Sequence, residues 1–343
     1  MNDEEFKAII DCNKNELFSE LIEEINNDQI TDIEWDGYNL WITELGKGCY
    51  ISKKELSDKY TENLAIKLSN ICGSPFHRIK PILEANTSDL RISIWHESRC
   101  GRKSIAIRKI PRDLRFDHFK LIDDNYAPKR LISLLENSIT AHLSTVIGGQ
   151  PHAGKTELLK YLSTYIPADE KVGVFEDNQE IHYRSINPNK KCVEFYVDDK
   201  VNYQDAIKAG LRHNIDWILL SEARGPEVLD LLNSLSTGAF CMTTMHLDDI
   251  RDMPDRMYNM LGSSNVTDRF INSIYKYIDL CILVDCDKYE QRKIKQVGFL
   301  NRTNQTNSCV CIYDDYDFTN QPIPEETLKR FYKYGIHDPF IRR

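Results

Sequence analysis

Gly149-Gln150-Pro151-His152-Ala153-Gly154-Lys155-Thr156 has the form G-x-x-x-x-G-K-T, the phosphate-cradling P-loop. Before it stands Leu143-Ser-Thr-Val-Ile147, a short apolar, β-branched run that reads as a buried strand. Behind it Leu158, Leu159, Leu162 and Tyr165 fall on one face of a helical pattern. The motif therefore sits between a strand and the start of a helix, where its chemistry needs it. Loop N–H groups and the helix N-terminus point at an anion, and the helix dipole favours negative charge there. Residues 149–156, with Glu157 in the first helical turn, are read as the nucleotide cradle. In this reading Lys155 reaches the β- and γ-phosphates and the Thr156 hydroxyl ligates Mg²⁺.

Working outward, other apolar runs end in chemistry. Trp217-Ile-Leu-Leu220 ends in Ser221-Glu222, and a carboxylate at such a strand end lies by the P-loop crevice. It holds the Mg²⁺ shell or polarises water there; alone, it would be a solvated acid opening a loop. Val174-Phe-Glu176-Asp177-Asn-Gln-Glu180 carries acids beyond a second strand end, and Thr243-Thr-Met-His246 closes a third. By spacing alone, His246 is open between a structural and a functional role.

The pattern around these runs alternates helices and short buried strands, which indicates a mainly parallel sheet with crossover helices. Residues 131–343 form this domain and 116–130 read as a linker. Residues 1–115 read differently, as a smaller α+β domain. A helical opening spans Glu4–Asn26, with Phe6, Ile9 and Ile10 among its apolar positions. Two alternating runs flank Asp36-Gly37 as a hairpin. Lys53–Cys72 is amphipathic, and Leu90–Trp95 and Lys103–Arg108 alternate like strands across a turn at His96–Arg102. After Ile278–Val284 further strand-like runs follow at Lys293–Leu300 and Cys309–Tyr313, then a helix at Pro324–Tyr334, and Tyr313–Phe318 reads as an exposed acidic stretch.

Composition bounds the function. At 343 residues the chain is long enough for two cores, with 41% hydrophobic and 28% charged residues. A net charge of −9 argues against direct nucleic-acid binding. Ten cysteines form no C-x-x-C and no zinc spacing, so reduced, mostly buried thiols of a cytosolic protein are expected. No apolar run approaches transmembrane length, and Met1-Asn-Asp-Glu-Glu-Phe6 is too acidic for a signal peptide.

Taken together the motifs resemble the secretion ATPases of the type II/type IV secretion and pilus superfamily, closest to the type IV secretion and Tad pilus branch. The likeness runs from about Pro81 to Leu300 and is densest over Ile147–Leu261. It rests on the P-loop and on Val172–Glu180, similar to the family's acidic box. Leu220-Ser-Glu222-Ala-Arg224-Gly-Pro-Glu227 resembles its Walker B stretch, and Thr243–His246 its histidine box. Arg91-Ile-Ser-Ile94 and Ile107-Arg108-Lys109 resemble shorter N-terminal signatures.

The resemblance implies a RecA-like ATPase domain behind an α+β N-terminal domain, ATP and Mg²⁺, and a homo-hexameric ring. It implies a cytoplasmic protein in peripheral contact with inner-membrane secretion or pilus machinery. Glu180, or else Glu176, would activate water; Glu222 would orient water or metal; His246 would sense the γ-phosphate. Arg91 and Arg108 would reach the phosphates, or remain exposed strand arginines. Arg224 would bridge subunits, or serve as a structural ion-pair partner.

Two departures stand out. The family's P-loop commonly reads Thr-Gly-Ser where this chain has Pro151-His152-Ala153, and Ala239 stands where a histidine is common. His152 in a glycine's place makes a positive φ there uncommon. Three other readings follow: a pilus extension or retraction motor, a nucleotide-binding scaffold ring with little turnover, and, more remotely, a small-molecule kinase.

Overall fold

The computed structural model describes residues 13–87, 89–198, 200–261, 268–303 and 305–342. It divides into two units by internal packing. One runs to Arg112 and takes in Asp287–Gln291; the other comprises Asp113–Cys286 and Arg292–Arg343.

The first unit is built on six antiparallel strands: β1 (Ile30–Trp35), β2 (Leu40–Glu44), β3 (Gly48–Ile51), β4 (Ile82–Asn86), β5 (Leu90–Trp95) and β6 (Ser104–Lys109). Their order is β3-β2-β1-β6-β5-β4. Alternation aims Ile92, Ile94, Ile105 and Ile107 into one core, shared with Leu64 and Leu68 of helix α1 (Asp58–Cys72). The amphipathic pattern reaches back to Lys53, yet the helix begins at Asp58. The Ser57 hydroxyl accepts from the Tyr60 N–H at 3.1 Å and so caps it there. Gly73, at φ +61°, ends it in the left-handed conformation. The Asp36-Gly37 hairpin forms, with the Asp36 carboxylate accepting from the N–H groups of Tyr38 and Asn39. A helical turn, Glu97–Cys100, lies within the His96–Arg102 connection. In the opening helix Leu17, Phe18, Leu21 and Ile25 are buried; Phe6, Ile9 and Ile10 lie outside the described residues.

The second unit carries nine strands: β7 (Thr145–Gly148), β8 (Val172–Glu176), β9 (Cys192–Tyr196), β10 (Trp217–Leu220), β11 (Phe240–Met245), β12 (Leu280–Cys286), β13 (Arg292–Thr303), β14 (Thr306–Asp314) and β15 (Asp317–Phe318). The sheet order is β15-β14-β13-β12-β7-β11-β10-β8-β9. From β12 to β9 every pairing is parallel; β13, β14 and β15 extend the sheet antiparallel. Successive residues point to opposite faces, and both faces are covered. Ile147, Val174, Trp217, Leu219 and Met242 pack with helices α2 (Lys129–Thr140), α3 (Lys155–Ser163) and α7 (Glu325–Lys333). Val146, Phe175, Ile218, Leu220 and Cys241 pack with α4 (Tyr203–Gly210), α5 (Glu227–Ser236) and α6 (Asp268–Tyr277). The fold is thus the α/β, RecA-like layering, preceded by a smaller α+β unit.

Three local expectations need revision. Residues 116–130 are not a bare connection: they hold a helix (His118–Asp123) and bury Leu121, Tyr126 and Ala127 in the second unit's core. Tyr313–Phe318 is a strand turn with a buried side: Tyr313 is buried and pairs with Phe318, while Asp314 pairs with Arg251. The cysteines are not mostly buried. Of the nine free thiols among the described residues, Cys241 and Cys281 are buried and Cys49 and Cys100 exposed. No helix among the described residues is long and apolar enough to cross a membrane.

Candidate nucleotide site

Parallel pairing brings the ends of β7, β8, β10 and β11 to one edge of the sheet. Gly148 lies beside Met245, Thr243 beside Leu220, and Leu220 beside Phe175. The residues that follow each strand leave from this edge: the loop at Gly149, the acids after Glu176, Ser221-Glu222 and His246.

The loop wraps the N-terminus of α3. Gly149 and Gly154 have φ +153° and +90°, and His152 stands at +65° despite its side chain. The Lys155 ammonium is buried and donates to the carbonyls of Gly149 (3.0 Å) and Gln150 (2.8 Å). It also lies 3.4 Å from His246 Nδ1. An ammonium only donates, so Nδ1 is the acceptor there and the imidazole proton sits on Nε2. That nitrogen faces Glu222 Oε1 at 3.0 Å. Arg224 stands 4.0 Å from the other Glu222 oxygen and pairs with Asp177. Gln150 donates to Asp248, and Pro151 and Ala153 complete the turn, with Ala153 buried. Glu157 turns toward the fully buried Lys160, 3.2 Å away, rather than along the loop.

Glu176 and Glu180 separate cleanly in environment. Glu176 is buried, and its Oε1 accepts from the N–H groups of Glu180 (3.0 Å) and Ile181 (2.8 Å). Burial pushes its pKa up to about 8, the two N–H bonds opposing and the nearby Glu180 charge adding to the rise. Glu180 is half-buried, and its Oε2 accepts from the Thr156 hydroxyl at 3.4 Å. One acid therefore shapes the loop and the other faces the cradle. For Asp177, burial works against ionisation, but the Arg224 ion pair outweighs it and holds the carboxyl below its usual value.

The structure thus gathers Lys155, Thr156, Glu180, Glu222 and His246, with Arg224 beside them and Glu176 behind. Arg91 and Arg108 belong to the first unit, as direct partners across β5 and β6, where Arg108 Nε pairs with Asp32 at 2.9 Å. Sequence reading quoted Glu227 at the end of the Walker B-like stretch without giving it a role, and passed over Tyr203. The Glu227 carboxylate accepts from the N–H groups of Arg224 (2.9 Å) and Gly225 (2.8 Å), fixing the turn after β10. The Tyr203 hydroxyl joins Ser221 Oγ (3.0 Å) to the N–H of Asp177 (3.0 Å). A carboxylate two or three residues past a strand-end turn was the available signal for Glu227; Tyr203 had none.

Among the described residues no group of three His, Cys, Asp or Glu side chains could hold a metal by itself. The Thr156 hydroxyl and the Glu180 and Glu222 carboxylates are hard oxygen donors. They fit Mg²⁺, which takes one or two protein oxygens and completes its shell with phosphates and water.

A phosphate loop between strand and helix, with acids at neighbouring parallel strand ends, defines a P-loop nucleotide-binding protein of the RecA-like class. The chain belongs to the type II/IV secretion system protein family, whose profile matches residues 77–317. It is 27% identical over 234 residues to an uncharacterized protein of Bacillus anthracis, covering 67% of this chain and 53% of that one. A putative conjugal transfer protein of Mycobacterium tuberculosis is 26% identical over 189 residues, 53% of each chain. The chain therefore spans about half the length of these relatives. Among solved structures, the Yersinia pseudotuberculosis ATPase DotB has a TM-score of 0.63 over 84% of this chain and 79% of its own, at 15% identity. That likeness concerns the fold.

Proposed function

We propose that this protein is the ATP-hydrolysing motor of a type IV secretion or conjugation-type system, acting as a homo-hexameric ring on a membrane transport machine. The observation that supports it most is the convergence of Lys155, Thr156, Glu180, Glu222 and His246 at one sheet edge. Family membership supports a secretion ATPase in general, and the conjugal-transfer relative favours the type IV system. In this reading the protein is cytoplasmic and docks peripherally on the inner membrane.

In this reading the residues divide the work as follows. Residues 149–156 bind the triphosphate through loop N–H groups, and Lys155 exchanges loop carbonyls for phosphate oxygens. Thr156 and Glu222 would hold Mg²⁺, which would supply neutralisation of the phosphate charge. Glu180 takes the proton of the attacking water, held in place by the Glu176 grip on its backbone. His246 lies between Lys155 and Glu222, so a shift of the ammonium on phosphate binding or release reaches the β10 end through the imidazole. Arg224 bridges to Asp177 or to a neighbouring subunit.

The test joins an ATPase assay to light-scattering mass, with and without nucleotide. Turnover together with a six-fold assembly is expected. Tight ATP binding with background turnover would turn the reading toward a scaffold ring.

A further inference from the structure

We propose that Arg292 is a positioning residue for the phosphate loop, holding His152 in its left-handed conformation; this rests on reading residues 149–156 as that loop. His152 sits at φ +65°, a region that disfavours any residue with a Cβ and that glycine enters freely. Something outside the loop has to stabilise this conformation. Arg292 Nε donates to the His152 carbonyl at 3.1 Å, and a charged donor makes a stronger bond than a neutral one.

The same side chain fixes the next glycine. A Cβ on Gly154 would stand 2.7 Å from Arg292 Cδ, so the arginine stem lies against the backbone just before Lys155. At the loop's other end, a Cβ on Gly149 would stand 2.5 Å from the Val284 carbonyl oxygen. Val284 is on β12 and Arg292 opens β13, and the two strands pair in the register Cys286 to Arg292. The β12–β13 hairpin therefore grips the loop at its first and last glycines. Arginine suits the task because its Nε is a donor partway along the stem, so one side chain packs on Gly154 and bonds to His152; lysine has no such donor.

The role is specific to this chain's departure at position 152. A glycine there would need little holding. A double-mutant cycle isolates this, using Arg292→Met, which keeps an apolar stem over Gly154 and removes the donor, with His152→Gly. ATP affinity and the urea unfolding midpoint are measured for the four proteins. Arg292→Met is expected to weaken ATP binding about tenfold with His152 present, and less than about twofold with glycine at 152. An equal loss on both backgrounds would overturn the proposal, since the guanidinium would then act on phosphate directly. No loss on either would overturn it too. If the wild-type protein binds no ATP, the reading of the site fails and the unfolding midpoints decide. Non-additive midpoints support the clamp, and additive ones overturn it.

Discussion

At the scale of single residues, the site divides its acids by environment. Glu180 faces Thr156 and is expected to carry the proton transfer. Glu180→Gln should lower turnover by about 10²- to 10⁴-fold while ATP binding persists, as phosphate release and equilibrium binding would show. Glu176 is different: buried, bonded to two backbone N–H groups, with its pKa pushed up to about 8. Folding raises this carboxyl's proton affinity, so its stabilising contribution is complete below its unfolded value of 4.5 and is lost as pH rises toward about 8. Glu176→Gln keeps an acceptor oxygen without the charge. Urea unfolding should show it at least as stable as wild type near pH 8 and less dependent on pH between about 5 and 8. A variant as pH-sensitive as wild type would contradict this.

At the scale of elements, what was legible follows from locality. The phosphate loop, β7, β8, β10 and β11 were readable because each is a short apolar run abutting its motif. The N-terminal hairpin was readable from Asp36-Gly37. The start of α1 was not read from periodicity, because the cap at Ser57 cuts into the amphipathic pattern, whose apolar stripe begins one residue earlier at Leu56. Ser57→Ala should destabilise the first unit by about 1 kcal/mol, measurable by chemical denaturation, with little change at the phosphate loop. Strand β9 was missed because it is a half-covered edge, and its sequence Cys192–Tyr196 lacks clean alternation. In the second unit, Leu159 of α3 is fully buried against the sheet. Leu159→Ala should cost about 2–5 kcal/mol and loosen the helix that carries Lys155 and Thr156. The side-chain network of the site was legible only in its members. Pairings such as Lys155 with His246, or Arg224 with Asp177, join residues far apart in sequence, and no local pattern encodes them.

At the scale of the molecule, the two units reflect a real change of pattern, from alternating antiparallel runs to strand–helix alternation. Residues 116–130 read as a linker because a short polar segment hides the buried Leu121, Tyr126 and Ala127, which belong to the second unit. The chain after Asn301 matched no motif, yet it completes the sheet and returns α7 to the core, where Phe331 is fully buried and Arg330 pairs with Asp279 at 2.8 Å. The proposed function requires that the cradle at the sheet edge hydrolyse ATP. Steady-state phosphate release by the wild-type protein, Lys155→Ala and Glu222→Ala tests it most directly. Turnover in the first and background rates in both variants are expected. Variants that hydrolyse ATP as fast as the wild type would contradict it.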